Sequence, residues 1–176
     1  MGDAWHLEPC AGAAAALDEA AVRAVHRQFV TGVTVVTTGV GGVPRGLAVN
    51  AFASVSLTPP IVLVCVASNS NTHEHLFRSE RFAINMLAAD QGDVARRFAS
   101  KASDKFGSVA WRPAPGGSPI LDGASAYLEA SVCQRIVAGT HTVFIGEVVA
   151  AEAFDRPPLV YIAGSLYDPA TLLPAR

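Results

Sequence analysis

The sequence lacks most of the features that mark secreted, membrane-spanning and nucleic-acid-binding proteins. Its three cysteines, Cys10, Cys65 and Cys133, are isolated and odd in number, which argues against a disulfide framework and favours the cytoplasm. Thirteen Lys and Arg residues against fifteen Asp and Glu leave a net charge of −2, too balanced for binding to nucleic acid or anionic lipid. No apolar run approaches the roughly 18 residues that span a bilayer. The chain also starts without the basic segment of a secretory signal, so we expect a cytoplasmic protein with no membrane or nucleic-acid partner.

The common catalytic and metal-binding motifs are missing as well. There is no Gly-x-Ser-x-Gly, no Cys-x-x-Cys and no His-Glu-x-x-His, and no acid/base pair of carboxylates is visible. His73 and His75 would point to different faces of a helix, so no metal site is expected. The stretch Gly39–Gly46 has Pro44 where a nucleotide-binding loop needs its third glycine, and it predicts a hairpin turn instead. These absences favour chemistry that an organic cofactor carries.

What the sequence does have is apolar residues, at 51% against 16% charged. A chain of 176 residues with this composition fits one domain with a sizeable core. We expect that domain at residues 21–168, after a flexible N-terminal segment at 1–20 and before a C-terminal tail at 169–176.

Short apolar and β-branched runs predict that most of the domain is β-strand. The predicted strands are Val33–Thr38, Gly46–Ser56, Ile61–Ala67 (buried on both faces), Phe82–Leu87, Ala126–Val137, Thr142–Ala151 and Leu159–Ala163. Short helices are expected after Asp18, from a capping box at Asn71–Glu74, and from Asp90. Because these elements do not alternate as βαβ units, they favour a mainly β (α+β) domain, an antiparallel barrel with short helices outside. Strands with one apolar face leave surface for a second subunit, so a homodimer is expected.

Several segments, in order along the chain, carry a resemblance to a known family: Phe29–Thr38, Gly46–Pro60, Asn71-Thr72, Phe82–Leu87, Asp104–Phe106 and Gly139–Val148. They are similar to segments of the short-chain flavin reductases, the reductase components of two-component flavin monooxygenases. The resemblance covers about residues 23 to 167. It implies an antiparallel split β-barrel that uses NADH or NADPH to reduce free FAD or FMN for a separate flavin-dependent oxygenase. Two alternatives stay open: an enzyme like pyridoxamine-phosphate oxidase, and a non-catalytic flavin-binding protein.

The resemblance also implies a set of site residues. For the flavin they are Ala48, Val49, Asn50, Ala51, Ser54, Val55, Ser56, Cys65, Val66, Ala67, Ser70, Asn71, Thr72, Arg97, Lys105 and Phe106, and for the nicotinamide His141. Small residues such as Ala48 and Ala51 let a flat ring approach the backbone. The Ser70–Thr72 segment would give a phosphate the N–H groups of a helix start, and Lys105 or Arg97 would add positive charge.

Each of these roles has a simpler structural alternative. Ser54 and Ser56 are also typical of the outer face of a strand, and Cys65 of a plain buried cysteine. Asn71 could act only as a helix cap, and the two basic side chains could be solvated surface charges. Position 140, just before His141, is a threonine, whereas the family has an acidic residue there. This difference leaves the orientation and charge of the His141 imidazole open.

Overall fold

The computed structural model describes residues 5–7 and 18–172. Within them the helices are α1 (Glu19–His26), α2 (His73–Arg78) and α3 (Gly92–Ala99), followed by a 3-10 turn at Pro169–Thr171. The strands are β1 (Trp5–His6), β2 (Thr31–Gly32), β3 (Thr34–Val40), β4 (Val43–Val49), β5 (Phe52–Leu57), β6 (Pro60–Ala67), β7 (Arg81–Met86), β8 (Trp111–Pro113), β9 (Pro119–Leu121), β10 (Ala126–Ala138), β11 (His141–Ala153), β12 (Val160–Ile162) and β13 (Ser165–Tyr167). None of these helices has the length and apolar character that a membrane crossing requires.

The main sheet has the strand order β4-β3-β7-β10-β11-β6-β5, with antiparallel pairing between all of these neighbours. The two strands at its ends, β4 and β5, are consecutive in the chain and are separated only by Asn50 and Ala51. Each of them keeps one edge that no strand of this sheet covers. The expected mainly β, antiparallel split barrel with short helices is confirmed.

Alternation along the strands builds the core inside the barrel. Val62, Val64 and Val66 of β6 are buried there, together with Phe82 and Phe144. Their neighbours along β6 are only half-buried, so the prediction that this strand is buried on both faces is wrong. The reason is that its outer face carries no covering helix and partly lines an open cleft instead.

A second cluster holds α3 against the outside of β3 and β4. Ala95 and Phe98 of the helix pack with Val33 and Val35 in this cluster. The Phe98 ring crosses β4 at Gly46, where a Cβ would lie 2.9 Å from the Phe98 Cε1 atom. Glycine is therefore required at this position so that the helix can approach the strand closely.

Two other element predictions are corrected by the structure. The single strand expected at Gly46–Ser56 is divided into β4 and β5, because the chain turns a corner at Asn50 and Ala51. The capping box at Asn71 is also wrong: Ser70 Oγ accepts hydrogen bonds from the N–H groups of Thr72, at 3.2 Å, and His73, at 3.1 Å. A serine hydroxyl one residue earlier therefore satisfies the start of α2.

The N-terminal segment expected at 1–20 lies mostly outside the described residues, as do Cys10 and residues 173–176 of the tail. The described part of the N-terminal segment includes a strand that is paired with the main sheet. Strand β1 pairs in parallel with β10, through Trp5 opposite Ile136 and His6 opposite Val137. Asp18 caps α1 through a hydrogen bond of 3.0 Å that its Oδ1 accepts from the Ala20 N–H, as predicted.

Candidate active site

A cleft of about 830 Å³ lies along the open edge of β4. Strand β4 contributes one wall, the ends of β6 and β11 another, and α3 and the β12–β13 turn close the remaining sides. The lining residues that belong to the predicted site are Ala48, Val49, Asn50, Ala51, Cys65, Ala67 and His141. The structure thus brings together residues from three separate segments of the sequence.

The open edge of β4 offers backbone hydrogen-bonding groups to this cleft. Thr72 Oγ1 donates a hydrogen bond of 2.9 Å to the Gly46 carbonyl, which places that carbonyl on the side of β4 away from β3. Because hydrogen-bonding direction alternates along an antiparallel strand, the N–H and C=O of Ala48 point to the same open side. Ala48, Ala51 and Ala67 add little bulk beside these groups. A donor–acceptor edge between small side chains fits a flat heteroaromatic ring with a polar rim, such as a flavin.

His141 stands at the first position of β11, opposite Ala67 of β6. The turn before it contains Gly139 with a φ of 55°, and its Nδ1 lies 2.9 Å from Thr140 Oγ1. The imidazole is exposed and lines the cleft. A neutral hydroxyl therefore holds the ring where the family resemblance predicts a carboxylate.

Cys65 is half-buried in the wall of the cleft. Burial raises the pKa of its thiol above the ordinary value, so the neutral thiol predominates near neutral pH. Its backbone N–H donates to the Ala51 carbonyl at 3.0 Å and joins β6 to the corner between β4 and β5. The side chain thus presents a neutral, weakly polar surface to a ligand.

A second, smaller cavity of about 330 Å³ adjoins the cleft. Gly46 lines this cavity and Leu47, the next residue, lines the cleft, so the two meet along β4. Four of the predicted flavin residues belong to it: Asn71, Thr72, Lys105 and Phe106. The predicted flavin residues therefore divide between a ring-sized cleft and a polar cavity beside it.

Two basic residues of the predicted site have different positions in the structure. Lys105 lines the small cavity, its Nζ donates to the Phe98 carbonyl at 2.9 Å, and burial lowers its pKa. Arg97 lines neither cavity, and its guanidinium donates to the carbonyls of Lys105, at 2.7 Å, and Asp104, at 3.0 Å. Arg97 thus lies away from both cavities, and its expected role toward a phosphate stays a prediction. It fixes the loop that carries Lys105, while its neighbour Arg96 lines the cleft.

Other predicted residues also lie away from the two cavities. Val66 is fully buried in the barrel core, and the Ser70 hydroxyl is occupied in capping α2. Ser54, Val55 and Ser56 lie on the edge strand β5 and line neither cavity. The N–H groups expected to hold a phosphate at the start of α2 are those of Thr72 and His73, which Ser70 already binds. A direct role of these residues toward the flavin stays a prediction.

Sequence reasoning missed Arg45, His75, Arg96 and Leu166, which line the two cavities. Arg45 immediately precedes the resembling segment that starts at Gly46, and this adjacency was the available signal. No pattern in the sequence indicated that the tight turn at Ala163 and Gly164, both with positive φ, folds back over the cleft.

No group of three or more potential metal ligands occurs in the part of the chain that the structure describes. His73, one of the histidines weighed for a metal, instead hydrogen-bonds with Thr142 Oγ1 through its Nε2 at 2.8 Å. Its ring also packs 5.7 Å from that of Phe77 and 6.0 Å from that of Phe144. His73 is thus part of the packing between α2 and the barrel.

An antiparallel split barrel with a cleft for a flat ring and an adjoining cationic cavity defines a flavin-binding protein of the split-barrel class. The model of the flavin reductase like domain matches residues 26–170. The chain belongs to this flavin reductase family.

Relatives and solved structures agree with this assignment. The "Flavin-dependent monooxygenase, reductase subunit HsaB" of Mycobacterium tuberculosis is 41% identical over 146 residues, which cover 83% of this chain and 76% of HsaB. The "Probable flavin reductase" of Rhizobium meliloti is 41% identical over 86% of this chain, and the chain spans only 49% of that relative's length. The structure of NADH:FAD oxidoreductase SgcE6 of Streptomyces globisporus, in complex with NAD and FAD fragments, superposes with a TM-score of 0.80. Its identity is 40%, over 85% of this chain and 91% of SgcE6.

Proposed function

We propose that this chain oxidises NADH or NADPH, reduces free FAD or FMN, and releases the reduced flavin to a separate flavin-dependent oxygenase. The observation that carries the proposal is the cleft at the open edge of β4, with His141 on the opposite wall. The names of HsaB, a monooxygenase reductase subunit, and SgcE6, an NADH:FAD oxidoreductase, support it. The two alternative functions considered from the sequence receive no support from these relatives.

The residues of the cleft bind and orient rather than react. The N–H and C=O of Ala48 can address the polar edge of a flavin ring, and Ala51 and Ala67 leave room for its plane. His141 is placed to contact the nicotinamide, with its Nδ1 held by Thr140. When bound, the flavin supplies the chemistry by accepting a hydride from the nicotinamide. Holding the two rings in contact is the main contribution required of the protein.

The same reasoning explains why the cleft needs no strong acid, base or nucleophile. Burial keeps Cys65 neutral, which suits a wall of the binding site and not a nucleophile. Carboxylates are absent from the residues that line the cleft in the described part of the chain. Hydride transfer between two bound rings does not depend on either kind of group.

Two further properties belong to this proposal. A homodimer is supported by apolar side chains that a single copy leaves exposed, such as Leu57 at 86% and Phe29 at 74%. A cytoplasmic location is supported by the isolated thiols Cys65 and Cys133, since neither is paired in a disulfide.

An anaerobic mixing experiment tests the proposal. Protein in catalytic amount is combined with NADH and an excess of FAD or FMN, and the visible absorbance of the flavin is followed without oxygen. Bleaching of the whole flavin pool, in step with loss of NADH, is expected. Flavin that stays oxidised with both NADH and NADPH would contradict the proposal.

A further inference from the structure

The small cavity beside the flavin cleft contains an arginine that has no partner among the residues that the structure describes. Arg45 of β4 is half-buried, and no acceptor in the described residues lies within hydrogen-bonding distance of its guanidinium. Other arginines here are engaged: Arg78 pairs with Glu74, and Arg135 donates to the carbonyls of Phe77 and Ser79. A partly desolvated guanidinium whose donors are unused favours an anionic ligand.

The charges around this cavity are mostly positive. Lys105 lines it from the loop after α3, whereas Arg45 lines it from β4, so two cations approach from different walls. Asp104 is the one acidic residue among the lining residues of the described chain. Its Oδ1 already accepts hydrogen bonds from the N–H groups of Phe106, at 3.1 Å, and Gly107, at 2.8 Å. The cavity therefore presents a net positive field to a ligand that enters from the cleft.

Aromatic side chains share this cavity with the cations. Phe106 lines it and is held edge-on by Phe98, with ring centroids 5.0 Å apart, and by Trp111, at 5.9 Å. His75 of α2 contributes a second, half-buried ring. Phosphates are recognised by cations, and a purine base stacks favourably on an aromatic ring. Cations and aromatic rings together suit a nucleotide better than an isolated phosphate.

Position along β4 connects this cavity to the flavin cleft. Arg45 lies three positions before Ala48 on β4, and at about 3.3 Å per residue the two are about 10 Å apart. A flavin ring against Ala48 would thus direct its ribityl phosphate tail toward Gly46 and into the cavity. We propose that Arg45, with Lys105, contacts the diphosphate of FAD, that the rings of His75 and Phe106 receive its adenine, and that the chain therefore prefers FAD to FMN. This inference rests on the proposed function and names the flavin that the same site selects.

Equilibrium binding of riboflavin, FMN and FAD, followed by flavin fluorescence, tests the role of Arg45. Wild-type protein should bind FAD more tightly than FMN, and FMN more tightly than riboflavin. Arg45→Ala should weaken FAD binding about 10- to 100-fold, the range expected for losing a charged hydrogen bond. FMN binding should change less and riboflavin binding not at all. Arg45→Lys should recover part of the FAD affinity, because it keeps the charge but not the paired donors.

Arg78→Ala is the matched control, since it removes the same charge from an exposed site on α2 that lines neither cavity. It should leave all three affinities unchanged. Equal weakening of all three flavins by Arg45→Ala, equal weakening of FAD and FMN, or no change in FAD binding would each overturn the inference. If the wild-type protein binds no flavin at all, the proposed function itself is overturned. This outcome is seen before Arg45 is changed, so it is distinguishable from a failure of the inference about Arg45.

Discussion

Among single side chains, His141 is the one to which the proposed function gives the most direct role, contact with the nicotinamide. It faces the cleft from the start of β11, and Thr140 Oγ1 lies 2.9 Å from its Nδ1. The hydroxyl fixes the ring without adding a negative charge. The ring is therefore placed to contact a nicotinamide that enters the cleft.

Replacing His141 with Ala should impair the use of NADH far more than the binding of flavin. Loss of one aligned contact corresponds to about 1–3 kcal/mol, or roughly 5- to 150-fold in kcat/KM for NADH. Steady-state kinetics with varied NADH, together with the flavin dissociation constant, measure the two effects separately. Thr140→Ala is the companion variant, and its smaller loss would show that the hydroxyl acts through the imidazole. Unchanged NADH kinetics in His141→Ala would assign His141 a structural role only.

At the scale of elements, helix α2 is attached to the barrel through the buried Leu76 and through His73. The Nε2 of this residue hydrogen-bonds with Thr142 Oγ1, and its ring packs with Phe77 and Phe144. Burial lowers the pKa of His73 below its ordinary value of 6.5, and the charge of Glu74 opposes this only in part. The folded protein consequently holds a proton on His73 less tightly than the unfolded chain does.

This difference predicts that acid weakens the fold. The contribution of a neutral His73 to stability is complete above pH 6.5, the ordinary pKa, and is lost as the pH falls through the lower pKa of the folded state. Denaturant unfolding at a series of pH values should show the unfolding free energy of the wild type declining below pH 6.5. His73→Gln, which cannot be protonated, should decline less, whereas His75→Gln on the same helix should follow the wild type. Identical declines in wild type and His73→Gln would rule out this cause.

The sequence predicted those elements that local patterns determine. The Gly39–Gly46 hairpin, α1 after Asp18 and the long strands β10 and β11 follow from turn residues, a cap and β-branched runs. The corner at Asn50 was not predicted, because it depends on how distant strands meet. The cap at Ser70 was missed because Asn71, the next residue, is an equally good capping residue type. Placement of site residues shows the same limit. Val66 lies in β6 between residues that line the cleft, and Arg97 follows a cleft residue on α3, so only the three-dimensional packing decides which of these side chains face the cavities.

For the molecule as a whole, a single copy leaves several large apolar side chains exposed to water. Exposed apolar residues occur on α1, just after it and on β5, with Val25 at 69%, Phe29 at 74% and Leu57 at 86%. A symmetric dimer that covers them would remove this surface from water, which stabilises the dimer by about 25 cal/mol for each Å² of apolar surface buried. Sedimentation at micromolar concentration should therefore give twice the 18.3 kDa of one chain. A stable species at 18.3 kDa over the same range would show that the monomer tolerates this exposure.

The cleft and the adjoining cavity are both open to the surface of one small domain, so the flavin should enter and leave during each cycle. An affinity in the micromolar range, about −8 kcal/mol, would permit this exchange. The reduced flavin would then be a product that another protein consumes. A flavin held permanently would instead make the rate independent of any flavin in solution.

The most direct test is the rate of NADH oxidation by catalytic amounts of protein as the concentration of added flavin is varied. The rate should be negligible without flavin, should rise to saturation as FAD is added, and should continue for many turnovers of flavin per protein molecule. Protein stripped of bound flavin by dialysis should regain full activity on addition of FAD. A rate that ignores added flavin, or no oxidation of either NADH or NADPH with any flavin, would contradict the assignment of a reductase that uses flavin as its substrate.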